Sequence, residues 1–258
     1  MTQETLDNLL HFGWDMFSGE VIMSLIVMGI IIIFSFVIYF KFRNLDPTKP
    51  DRGFVMIIET IVEKIENFTI ELMGKKWRDF SGYAFALASY IILCFLVSLM
   101  GFPGPLTYLG NTFSIALCTF FLIHFTAAKK NKWGYFKRYT DPIPVLLPVN
   151  LLSMWAPLLS LALRLFGNAL AGYTLMSIVY YFLGLASQAI FGGIIAGGAS
   201  SIILPPLVTP ILHAYFDVFS GAIQTLIFVM LTMIFVSQED PEEEEIQESN
   251  NKVLSKNV

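Results

Sequence analysis

Leu163-Arg164-Leu165-Phe166-Gly167-Asn168 sits inside a stretch from Pro142 to Gln238 whose one other formal charge is Asp217. A guanidinium keeps its proton in a protein. Setting one at the centre of a membrane helix costs about 2.5–3.5 kcal/mol on insertion scales. No carboxylate stands within one or two helical turns of Arg164 to neutralise it. A cation so placed faces a partner or an aqueous cleft, which makes Arg164 the first candidate functional residue.

Composition agrees that the surrounding stretch lies in lipid. The 258 residues are 55% hydrophobic and 14% charged, against about 25% charged in ordinary soluble domains. The net charge of −4 includes the run Glu242-Glu243-Glu244-Glu245, and no basic footprint for nucleic acid is present. Cys94 and Cys118 both lie in apolar runs and read as small core residues rather than a disulfide. His11, His124 and His213 are scattered, with no His-Glu-x-x-His and no paired Cys-x-x-Cys, so no metal or cofactor is expected. Gly197-Gly198-Ala199-Ser200 lacks the Gly-x-Ser-x-Gly elbow of a serine hydrolase. The N-terminus opens on acids (Glu4, Asp7, Asp15, Glu20) without a basic segment, which predicts no cleaved signal peptide.

A bilayer span needs about 20 apolar residues. After an exposed N-terminus over 1–20, runs of that length predict spans at 21–40, 80–101, 109–128, 149–183 and 205–237. The last two exceed the minimum and are expected to be tilted, forming a hairpin about the Gly/Ser/Pro-rich 191–206. Residues 54–74 differ. Ile57, Ile58, Ile61, Val62, Ile65, Phe68 and Leu72 recur three and four apart, opposite Glu59, Glu63, Lys64, Glu66 and Glu71, the pattern of an amphipathic helix at the membrane interface. The expected fold is therefore all-α and integral to the membrane, with about five transmembrane helices, one interfacial helix and an acidic tail over 238–258.

Twelve of the 16 lysines and arginines fall after the first span, at the end of the interfacial helix and after the third span. Positive-inside logic then predicts the N-terminus outside, five crossings, and the C-terminus with its tail in the cytoplasm. Trp14, Trp77, Trp133 and Trp155 lie at or near span ends, as an interfacial belt requires.

Two polar stripes carry the chemistry. Ser160, Arg164 and Asn168 recur every four residues in the fourth span, followed by Ala171 and Gly172. In the fifth span His213, Asp217, Ser220 with Gly221, and Gln224 follow at steps of three and four. Each stripe lies on one helix face. Read singly, Ser160, Asn168 and Ser220 serve as glue between helices. His213 reads as a hydrogen-bonded interfacial histidine or as part of a relay. An Arg164–Asp217 ion pair is the simplest alternative to a functional arginine, and Gln224 is placed to brace that arginine.

At these residues the chain resembles subunit a of F-type ATP synthases, in the bacterial or plastid form. The resemblance rests on Pro148-Val149-Asn150-Leu151, on Leu163-Arg164-Leu165-Phe166-Gly167-Asn168 with Ala171-Gly172, and on Gly221-Ala222-Ile223-Gln224 with the Ile-Phe-Val-Met-Leu-Thr-Met that follows. It implies a stator subunit in a bacterial cell membrane, or less readily a thylakoid membrane. The implied partners are the c-ring, the peripheral stalk subunit b, the rest of the synthase and the lipid bilayer. In that family the motif arginine faces the ring carboxylate and separates two half-channels for ions, the role implied for Arg164, with Asn168 and Gln224 beside it. Opposition to a cation favours an ionised carboxylate and so forces release of the carried ion. Tyr173 stands where many bacterial members carry glutamate, and Asp217 where members vary between histidine, glycine and an acid. Asp217 is then the expected ionisable group of the outer half-channel, with His213 one turn away. No bond chemistry is expected of the subunit itself. A secondary transporter binding an anion at Arg164 is the alternative from another class; inverted repeats with broken helices would mark it, and none is seen. The isolated arginine argues against a plain scaffold.

Overall fold

The computed structural model describes residues 18–43, 53–131, 147–192 and 198–239. Residues 1–17 of the expected N-terminal segment, the acidic tail beyond Glu239, Trp14 and Trp133 of the interfacial belt, and Lys49, Arg52, Lys132, Lys137 and Arg138 of the orientation argument lie outside those residues. The helices are α1 (Gly19–Arg43), α2 (Phe54–Met73), α3 (Ser81–Leu99), α4 (Leu109–Asn131), α5 (Leu147–Phe191), α6 (Pro205–His213) and α7 (Ser220–Gln238). A 3₁₀ turn at Lys75–Phe80 leads into α3, and a π-helical turn at Ala214–Phe219 joins α6 to α7. Among the described residues there is no strand. Five helical runs are long and apolar enough to cross a membrane: Gly19–Arg43, Lys75–Leu99, Leu109–Lys129, Met154–Phe191 and Pro205–Gln238. The chain is an all-α, multi-pass membrane protein, the form in which a spanning segment satisfies its own backbone in lipid.

The helix ends follow from local chemistry. Gly101 closes α3 at φ 84°, donating its N–H to the Ser98 carbonyl at 3.0 Å, and only glycine holds that conformation cheaply. Pro103 and Pro105 cannot continue the helix. Gly74 turns the chain in the same way after α2, its N–H 2.9 Å from the Ile70 carbonyl.

Side chains from α3, α4, α5 and α7 make the core: Ile91, Cys94 and Phe95; Ala116, Phe120 and Ile123; Leu158, Leu161 and Leu165; Phe228, Met233 and Val236. Helix α2 packs beneath α3 and α7 through Val55, Ile58, Thr69 and Met73, while Met56, Ile57, Ile61 and Val62 stay exposed. Its apolar arc is thus shared between the protein and the surroundings. Helix α1 buries only Ser24 and Val27 and is held to α3 by a 2.6 Å hydrogen bond between the Ser24 and Tyr90 hydroxyls.

Two expectations are corrected. Cys118 is exposed rather than in the core, and only Cys94 is buried. Helix α5 continues past Leu183 to Phe191, because Gly184 is a tolerable helix residue at about 1 kcal/mol and Ser187 has a use. The Ser187 hydroxyl, fully buried, donates to the Ser200 carbonyl and accepts the Leu204 N–H at 3.2 Å. It thereby clasps the start of α6 to the end of α5.

Candidate ion-conducting site

Helix α5 sorts its residues by side. Leu158, Leu161, Ala162 and Leu165 point into the core. Arg164 lies on the other side, exposed between Leu159, Leu163 and Gly167. Its one hydrogen bond within the described residues is a long one, Nη2 to Ser160 Oγ at 3.4 Å, and no described carboxylate pairs with it. The charge therefore stands on an open apolar face beside Leu159 and Leu163, a face to which Phe182, about five turns on, also belongs.

Asn168, one turn on, turns inward and accepts the Ser220 hydroxyl of α7 at 2.8 Å through Oδ1. The α5 and α7 segments run antiparallel, and Gly172 brings α5 close enough that an added Cβ would stand 3.9 Å from Phe216 Cβ. One turn from the Asn168–Ser220 pair in the other direction, Arg164 and Gln224 share a level. No hydrogen bond joins them among the described residues. Gln224 is buried on the core side at 6% exposure, so the expected brace is absent. Asn168 Nδ2 and Gln224 Nε2 are both buried without a hydrogen-bond acceptor among the described residues. Such atoms are uncommon in folded proteins, and both fall within a turn of the arginine's level.

Asp217 sits in the π-helical turn, a distortion frequent at functional sites. There the Ser220 N–H reaches back five residues to the Tyr215 carbonyl. Asp217 Oδ2 lies 2.5 Å from His213 Nδ1, and His213 Nε2 lies 2.9 Å from Tyr180 Oη. The Arg164–Asp217 ion pair is thus not formed, since the carboxylate takes a histidine instead. A cavity of about 360 Å³ opens beside this chain of groups. It runs from the α3–α4 connection at Met100–Thr107 down to Asn168, past Tyr173, Tyr180, His213 and Asp217. Its polar end stops one turn short of Arg164.

The structure therefore gathers Tyr173, His213 and Asp217 on one cavity, sets Asn168 at its foot, and leaves Ser160 with Arg164 on the open face. Sequence reasoning missed Tyr180. Its signal was the stripe itself, since steps of four from Arg164 through Asn168, Gly172 and Met176 reach Tyr180.

Fold and site together define a multi-pass helical membrane protein with a polar cavity beside an exposed arginine in its last spans. A family model described as ATP synthase A chain matches residues 21–237. A relative from Mycoplasmoides gallisepticum, named ATP synthase subunit a, is 33% identical, covering 86% of this chain and 78% of its own. One of that name from Mycoplasma genitalium is 31% identical, covering 85% and 79%. A third, from Propionigenium modestum, is 26% identical, covering 87% and 78%, and is named sodium ion specific. The chain belongs to the ATP synthase A chain family. It is accordingly an ion-conducting stator subunit of the membrane sector and a component of a rotary ATP synthase, not a catalytic subunit of it. That membership leaves the transporter alternative without support.

Proposed function

We propose that this subunit passes protons to and from a c-ring by two half-channels, with Arg164 opposite the ring carboxylate. One observation carries the reading: a permanent cation stands on an open apolar helix face, paired with nothing stronger than a hydroxyl at 3.4 Å among the described residues. Such a charge is tolerable in lipid only against a partner, and a carboxylate moving past on another subunit is such a partner. Held near it, the carboxylate stays ionised and gives up its proton. The same charge repels a proton trying to cross directly between half-channels.

The cavity is the outer half-channel. Asp217 is its main ionisable group, His213 and Tyr173 flank it, and Asn168 and Gln224 are the polar steps between Asp217 and the ring. Ser160 steadies the guanidinium. The N-terminus lies outside and the C-terminus in the cytoplasm of a bacterial cell membrane, following the clustering of lysine and arginine. Helices α1 and α2, with large exposed apolar surfaces, leave room for subunit b.

ATP-driven proton pumping by inverted membrane vesicles carrying the whole complex tests the reading. Arg164→Ala abolishes pumping while ATP hydrolysis by the soluble sector persists; pumping at the unsubstituted rate refutes the role of Arg164.

A further inference from the structure

Tyr180 has no part in the scheme above, yet it completes it. An ionised carboxylate only accepts hydrogen bonds, so the 2.5 Å contact with Asp217 Oδ2 puts a proton on His213 Nδ1. A neutral imidazole with its proton there presents Nε2 as an acceptor. The Tyr180 hydroxyl, 2.9 Å away, must then donate to it. The hydrogens of Tyr180 and His213 point the same way, toward Asp217. The two rings also lie against one another, centroids 5.9 Å apart at 48°.

We propose that Tyr180 is a positioning residue of the ion path: it holds the ring plane with which His213 serves Asp217, and stays bonded to Nε2 in either tautomer. The proposal rests on Asp217 and His213 carrying the ion. A hydroxyl suits the task because it can reverse its role. When a proton binds at Nε2, the imidazolium N–H donates to Tyr180 Oη, and the Nδ1 proton passes to the Asp217 carboxylate. One proton is taken up, one is handed on, and the ring is neutral again as the other tautomer, its Nε2–H still held by Tyr180. Phenylalanine keeps the ring and its packing but offers neither bond. The cavity's other ionisable side chain from α5 is Tyr173; Ser98 of α3 and Thr107 of the α3–α4 connection add only hydroxyls.

The test uses the whole complex in vesicles with ¹⁵N-labelled histidine, the His213 signals identified by their loss in His213→Gln. In the unsubstituted protein Nδ1 reports as protonated and Nε2 as bare. In Tyr180→Phe the Nε2 signal moves as its hydrogen bond is lost, and pumping slows about fivefold, the weight of one neutral hydrogen bond. An unchanged His213 spectrum in Tyr180→Phe overturns the proposal, whatever happens to the rate. Asp217→Asn keeps the two failures apart. If that variant pumps normally, the underlying reading of the channel falls. If it is inactive while the Tyr180→Phe spectrum stays put, only the positioning role falls.

Discussion

His213 Nδ1 lies 2.5 Å from Asp217 Oδ2, and that contact separates the two charges that stand alone in the hairpin sequence. Had Asp217 paired with Arg164, the arginine would be neutralised within its own chain. Instead the acid is turned into the cavity and held by α6, while the guanidinium stands outward on α5. The two groups thereby stand apart, one on the cavity and one on the open face.

Asp217 is consequently the most sensitive position of the cavity. We expect Asp217→Asn to slow ATP-driven proton pumping by about tenfold or more, the lower range for losing a proton-transfer group. Tyr173→Phe, which removes a hydroxyl from an exposed side chain on the same cavity, slows it by less than about threefold, below the usual weight of one hydrogen bond. Acidification rates of matched vesicles decide the order, and the reverse order moves the ionisable group to Tyr173.

The ion itself is expected to be the proton. Sodium is a hard cation that wants a shell of oxygens, as calcium and magnesium do. Here an imidazole nitrogen already occupies one oxygen of Asp217, the only carboxylate on the cavity among the described residues. Pumping in sodium-free buffer should match pumping with sodium added. A sodium requirement, or ATP-driven sodium uptake, assigns this chain to the behaviour named for its Propionigenium modestum relative.

Much of this architecture was legible in the sequence because lipid forces apolar length on every span, and because a lone arginine in such a span is conspicuous. The side of α5 to which Arg164 points was not legible. Leu158, Leu161 and Leu165 are buried while Leu159 and Leu163 are exposed, so leucine marks both the core and the outer surface. Where the surroundings are as apolar as the interior, periodicity loses its contrast. Tyr180 was hidden for a related reason: within Val179-Tyr180-Tyr181-Phe182 it looks like one more interfacial aromatic. Its place on the Arg164 stripe was a weak signal, and the partner on α6 makes it plain. The end of α5 was missed because Gly184 and Ser187 resemble loop residues until Ser187 is seen to hold Ser200 and Leu204.

That clasp is testable by itself. Ser187→Ala removes one bond to the Ser200 carbonyl and the acceptor of the Leu204 N–H, a cost of about 1–3 kcal/mol if that N–H stays buried. The expected outcome is local, namely faster hydrogen exchange at the Leu204 amide and easier proteolysis between α5 and α6, with α3 and α4 unaffected. Unchanged exchange at Leu204 shows that the connection is held by other contacts.

A close packing demand between helices falls on Gly221, where α7 crosses α3. A Cβ added there would stand 2.7 Å from Phe95 Cγ and 3.1 Å from Phe95 Cβ, and Phe95 is itself buried at 6% exposure. The ring has little room to withdraw, since Ile91 and Cys94 beside it are fully buried. Gly221→Ala should therefore cost about 1–3 kcal/mol, the range for overpacking a filled core, and Gly221→Leu more. Because Ser220 and Gln224 ride on the same turns of α7, the displacement also disturbs the Asn168–Ser220 bond and slows pumping. Phe95→Ala alone opens a void and also destabilises, yet combined with Gly221→Ala it removes the clash. The double variant should accumulate in membranes to a higher level than the sum of the single losses allows, measured as assembled complex resistant to protease. Strict additivity would mean that α3 and α7 shift apart freely and that glycine is not required at the crossing.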